Sequence, residues 1–73
     1  MRNYTLKQIQ TFIEVAREQS VSKAAERLFV TQPAVSMQLR QLEDAFGLPL
    51  VESAGRNIQL TNAGEAFLTH AIA

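Results

Sequence analysis

The sequence predicts a mostly α-helical domain: a three-helix core, a two-stranded β-hairpin and the start of a fourth helix. Three observations carry this expectation. Apolar residues recur at spacings of three and four in successive stretches, each preceded by a Thr or Ser suited to capping a helix. A stretch punctuated by Pro49 and Gly55, with apolar residues on either side, breaks that period. With 73 residues and no cysteine, the chain supports one modest core held by packing alone.

Thr5 followed by Gln8 reads as a capping box, and Leu6, Ile9, Phe12, Ile13 and Ala16 then repeat on one helical face, so the first helix runs from about Leu6 to Glu18. Gln19 to Ser22 interrupts the period. Ser20 or Ser22 caps a second, short helix over about Ser22 to Leu28, with Ala24, Ala25 and Leu28 facing inward. Two short helices that meet at a tight angle need small side chains where they cross, which Ala24 and Ala25 supply, and this spacing predicts a helix-turn-helix. Thr31 offers a capping hydroxyl, and Pro33 sits near the first helical position, where its missing N–H costs nothing. Val35, Leu39, Leu42 and Phe46 form the inner stripe of a third helix from about Gln32 to Phe46, ended by Gly47. Leu50 and Val51 on one side of Gly55, and Ile58 and Leu60 on the other, predict the hairpin. Thr61 caps a last helix with Ala63, Ala66, Phe67 and Ile72 along one face, and no helix-ending residue follows it, so it reads as cut off. The predicted organisation is a winged helix-turn-helix over 1–60 and the beginning of a linker helix over 61–73.

Composition narrows the function classes. Apolar residues make up 47% and charged residues 19%, an ordinary globular balance. The first residues lack a continuous apolar region, and no run approaches a membrane span, so a soluble cytoplasmic protein is expected. Seven basic and seven acidic residues leave no net charge, which runs against the usual basic character of nucleic-acid binders and makes the placement of charge decisive. No nucleophile with its base, no acid pair and no metal cluster is apparent, so neither an enzyme nor a cofactor is expected.

The third helix carries the functional chemistry. At about 100° per residue, Pro33, Ser36, Met37, Arg40 and Gln41 face away from the inner stripe. Phe29 to Gln41 contains no acid, although the chain has seven, so this surface can approach phosphates without repulsion. Gln32 and Gln38 carry paired amide donors and acceptors suited to adenine edges, Arg40 suits a guanine or a phosphate, and Ala34 or Met37 suits a thymine methyl. Taken alone, these polar positions favour a plain three-helix bundle with a solvated face over a reading surface, and the neutral charge suits a module that docks other proteins.

The run Ser20 to Glu43 (SVSKAAERLFVTQPAVSMQLRQLE) closely resembles the LysR-type transcriptional regulators, and the resemblance extends to Phe46–Leu50 (FGLPL) and Leu60–Gly64 (LTNAG), covering nearly the whole chain. It implies an amino-terminal DNA-binding domain. The third helix would enter the major groove of double-stranded DNA, with Gln32, Pro33, Ala34, Ser36 and Met37 at base-reading positions and the hairpin wing on the flanking minor groove or backbone. Lys23, Thr31, Gln38 and Arg40 would meet the backbone, together with Arg56, the only cation of a wing that has Val51, Glu52 and Ser53 where relatives carry a basic or aromatic residue. The resemblance further implies a homodimer of the full-length regulator on a dyad-symmetric operator, half-sites about one helical turn apart. A small-molecule effector would act only through a carboxy-terminal domain of the periplasmic-binding-protein type.

The remaining residues suggest structural roles. Phe12, Phe29, Phe46 and Phe67 read as core fillers. His70 lacks any partner at ligand spacing and reads as exposed or interfacial. Glu14, Glu18 and Glu26 fit a solvated helix surface, and Lys23 with Arg27 forms one cationic edge of the second helix.

Overall fold

The computed structural model describes residues 4–71. Ile72, expected on the inner face of the last helix, lies outside the described residues. The elements run α1 (Leu6–Glu18), α2 (Val21–Leu28), α3 (Gln32–Phe46), β1 (Val51–Ala54), β2 (Asn57–Leu60) and α4 (Asn62–Ala71), in the expected order.

Local chemistry accounts for the boundaries. Thr5 and Gln8 form the predicted capping box, the Gln8 N–H donating to the Thr5 hydroxyl at 3.1 Å and the Thr5 N–H to Gln8 Oε1 at 3.0 Å. Of the two candidate caps for α2, Ser20 takes the position, accepting from the Lys23 N–H at 3.1 Å, so the helix starts at Val21 rather than Ser22. Thr31 caps α3 through the Ala34 N–H, and Gly47 ends it in the left-handed conformation at φ 72°. Thr61 caps α4 through the Gly64 N–H at 3.0 Å.

Phe12, Val15, Ala24, Ala25, Val35, Leu39, Leu42 and Leu50 form one continuous core where α1, α2 and α3 meet. Ala24 and Ala25 are buried at the crossing, as their small size requires. Tyr4, Phe46 and Phe67 pack their rings beside Phe12, with Phe46 and Phe67 edge to face at 4.5 Å, so the aromatic side chains hold α4 against the end of α3.

Three inward assignments are corrected. The buried stripe of α1 is Gln8, Thr11, Phe12 and Val15, whereas Leu6 is 70% exposed and Ile9, Ile13 and Ala16 are half-buried. Gln8 tolerates burial because both ends of its amide are hydrogen-bonded, the Nε2 donating to Gln41 Oε1 at 2.9 Å. Phe29 is 94% exposed rather than a core residue: it ends α2 in the left-handed conformation at φ 58°, which turns its side chain out of the bundle. On α4, Ala66 is exposed, and Gly64 is buried in its place against the backbone of Leu50.

β1 and β2 pair antiparallel from Val51 opposite Leu60 to Ala54 opposite Asn57, around a two-residue Gly55–Arg56 turn. Gly55 adopts φ 64°, the positive value that tight hairpin turns demand. The hairpin is tied to the bundle at several points. The Glu43 carboxylate of α3 accepts from the N–H groups of Leu50 and Val51, at 2.8 and 3.2 Å. The Ile58 N–H donates to the Gln19 carbonyl at the end of α1, and the Thr61 hydroxyl donates to the Pro49 carbonyl.

Candidate nucleic-acid interface

The helix-turn-helix geometry places the first turns of α3 at the surface with their polar residues outward. Gln32, Pro33, Ser36 and Arg40 are exposed, and Met37 is 52% exposed, so its thioether is available for an apolar contact. Ala34 and Gln38 are half-buried on the flank of α3 that faces α1, where they line a groove with Leu6, Lys7 and Gln10. Thr31 is exposed, and its oxygen already accepts from the Ala34 N–H, which leaves its O–H free to donate outward.

On the other flank, a cleft of 310 Å³ brings Gln32 together with Ser20, Ser22, Ser53, Gly55 and Arg56. The hairpin turn thus stands beside the start of the third helix, with Arg56 exposed at its tip. Lys23 is exposed on the first turn of α2, which opens onto the same cleft through Ser20 and Ser22. Ser20 and Ser22 had no sequence signal beyond capping, and only the docking of the wing makes them neighbours of Gln32.

The placement of charge resolves the neutral total. Among the described residues, Arg17 pairs with Glu14 at 3.6 Å and Arg27 with Glu18 at 3.3 Å. The expected cationic edge of α2 is therefore split: Arg27 turns to α1, while Lys23, Arg40 and Arg56 belong to neither ion pair. Several acids are also engaged, Glu43 by the backbone of the hairpin and Glu52 by the Gln59 amide at 2.9 Å. Among the described residues, the cations outside these two ion pairs are Lys7, Lys23, Arg40 and Arg56, on α1, α2, α3 and the wing.

Among the described residues no cluster of His, Cys, Asp and Glu could hold a metal ion, and His70 is exposed on α4. No described helix is long and apolar enough to cross a membrane.

Residues 6–65 match the family model described as bacterial regulatory helix-turn-helix protein, lysR family. The chain belongs to the LysR family. It is 54% identical over 68 residues to the HTH-type transcriptional activator CmpR of Synechocystis sp., covering 93% of this chain and 22% of that protein. It is likewise 54% identical over 63 residues to the HTH-type transcriptional regulator PcaQ of Agrobacterium fabrum, covering 86% of this chain and 20% of that one. The chain thus spans about a fifth of the length of these LysR-family relatives. Its fold superposes on the DNA-binding domain of CbnR, solved in complex with DNA, with a TM-score of 0.89 at 41% identity over 93% of this chain and 78% of that one. It superposes on the BenM DNA-binding domain, solved on benA site 1 DNA, with a TM-score of 0.88 at 37% identity over 93% and 79% of the two chains. The winged helix-turn-helix predicted from sequence is the fold shared with these LysR-family domains.

Proposed function

We propose that this chain binds double-stranded DNA sequence-specifically, as the amino-terminal reading head of a longer transcription regulator. The observation that carries the reading is the segregation of charge: the exposed first three turns of α3, Gln32 to Gln41, are free of acid, with Asp44 only at the far end, and Lys23, Arg40 and Arg56 lie around them outside the ion pairs that engage Arg17 and Arg27. In this arrangement α3 lies in the major groove, which admits a helix. Gln32, Pro33, Ala34, Ser36 and Met37 face base edges, the amide for adenine and the apolar groups for thymine methyls. Lys23, Thr31, Gln38 and Arg40 hold the backbone on either side, and Arg56 meets the flanking backbone or minor groove from the wing. The DNA complexes of CbnR and BenM, which share the fold, support this placement.

The longer protein is a homodimer on a dyad-symmetric operator in this reading, with its effector domain beyond α4. The relatives' names as transcriptional regulators support that assignment, and nothing in the site calls for catalysis.

The experiment is selection of duplexes from a random pool, followed by gel-shift titration of the recovered sequence against a scrambled one over about 50 to 200 mM salt, where phosphate neutralisation makes affinity fall steeply. The expected result is a recovered consensus bound more tightly than the scramble. A pool that stays random through repeated selection refutes the proposal and leaves the protein-docking alternative.

A further inference from the structure

The side-chain bond between Gln8 and Gln41 joins residues 33 apart in sequence, and it has a direction. Gln8 Oε1 is occupied by the Thr5 N–H, a group that can only donate, so the Gln8 end facing α3 must be its Nε2. Gln41 therefore turns its Oε1 toward Gln8, at 2.9 Å, and its Nε2 away. Gln41 is an exposed residue, one turn beyond Met37 and Gln38 and adjacent to Arg40. Its outward Nε2 has no protein acceptor among the described residues, while the buried Gln8 anchors the other end.

Gln41 lies on the α1 flank of α3, opposite the wing cleft. The groove one turn before Gln41 on this flank, lined by Lys7, Ala34 and Gln38, has no acidic side chain; the exposed Asp44 lies one turn beyond Gln41, toward the end of the helix. Gln41 is also about 13 Å along the helix axis from Gln32 at 1.5 Å per residue, beyond the first turns that reach base edges. A helix lying in the major groove has a phosphate backbone on each side, and the wing, α2 and Arg56 account for one of them. We propose that Gln41 is a further DNA-contacting residue on the second backbone, donating from Nε2 to a phosphate, and that Gln8 is the positioning residue that fixes its amide in the donating orientation. This rests on the DNA-binding reading above.

The test measures salt-dependent affinity of the full chain for the duplexes it selects and for the unselected pool. Gln41→Leu, which keeps the bulk and loses the donors, weakens both by about five- to tenfold, since a phosphate contact carries no sequence information. Gln41→Lys adds a cation at the same place and steepens the slope of log K against log salt by about 0.9. Gln8→Glu retains the capping box, because Glu is a natural residue there, but it replaces the donor facing Gln41 by an acceptor. The Gln41 amide then inverts and presents its carbonyl to the phosphate. Gln8→Glu therefore weakens binding at least as much as Gln41→Leu, and the double variant is no weaker than the worse single one. A salt slope unchanged in Gln41→Lys, or losses in Gln8→Glu and Gln41→Leu that multiply, overturns the inference while the wild-type chain still binds. A wild-type chain that shows no salt-sensitive binding overturns both this inference and the function on which it rests.

Discussion

Gly64→Ala sets helix propensity against tertiary packing, and the two predict opposite signs. Gly64 lies in the first turn of α4, where Ala is favoured over Gly by up to about 1 kcal/mol. Packing opposes this. A Cβ at Gly64 would fall inside the van der Waals envelope of the Leu50 carbonyl oxygen, and would stand 3.0 Å from the carbonyl carbon and 3.3 Å from its Cα. Because the carbonyl oxygen is the nearest obstacle and non-bonded Cβ contacts essentially never fall below 3.0 Å, α4 must withdraw by about 1 Å. The obstacle is backbone and cannot rotate away. Withdrawal strains the bond from the Thr61 N–H to the Leu50 carbonyl at 3.1 Å, and that from the Thr61 hydroxyl to Pro49 at 2.7 Å. Overpacking at about 1–3 kcal/mol, plus up to about 1 kcal/mol for a weakened hydrogen bond, outweighs the propensity gain and leaves a net loss of roughly 1–3 kcal/mol. At about 4–8 °C per kcal/mol for a domain of this size, Tm falls by roughly 5–20 °C. Thermal unfolding followed by circular dichroism, with urea titration to compare m values, measures this. A Gly64→Ala chain as stable as the wild type, or more stable, refutes the close approach of α4 to Leu50.

Other perturbations separate the remaining roles. Glu43→Ala removes the acceptor for the Leu50 and Val51 N–H groups and costs about 2 kcal/mol in urea unfolding. Phe29→Asn leaves stability unchanged or raises it by about 0.5 kcal/mol, because Asn tolerates the left-handed conformation, whereas a core phenylalanine would cost about 3–5 kcal/mol when truncated. Arg40→Ala leaves the melting curve within about 0.5 kcal/mol of wild type. The same variant lowers the salt slope of DNA binding by about 1 if its contact is a phosphate, or relaxes preference at one base pair if its contact is a guanine. Gln32→Ala abolishes the specific gel shift while the chain stays folded, and an unchanged affinity for the selected duplex would remove Gln32 from the reading surface.

The helix boundaries were legible because short-range chemistry sets them. Thr5 with Gln8, Ser20, Thr31 and Gly47 each satisfy backbone groups within a few residues, and a linear sequence displays such pairs directly. The acid-free front of α3 was legible for the same reason, since composition and a helical wheel suffice to place it. The inner face of α1 was less so: a wheel weighs side chains by polarity, while the burial of Gln8 depends on an acceptor 33 residues away. Phe29 was misplaced because its hydrophobicity argued for the core, and the left-handed φ that turns it outward is a property of the α2 to α3 junction.

The sequence alone thus determined the order of elements, their caps and the polar, acid-free character of the first three turns of the third helix, Gln32 to Gln41, all of which depend on interactions between near neighbours in the chain. Only the tertiary structure decided that Arg17 and Arg27 are drawn into ion pairs, that Gln32 and Arg56 share a cleft with Ser20 and Ser22, that Glu43 holds the wing, and that Gln41 is oriented from α1. Each of these depends on side chains brought together across separate elements, where geometry rather than local preference sets the partner.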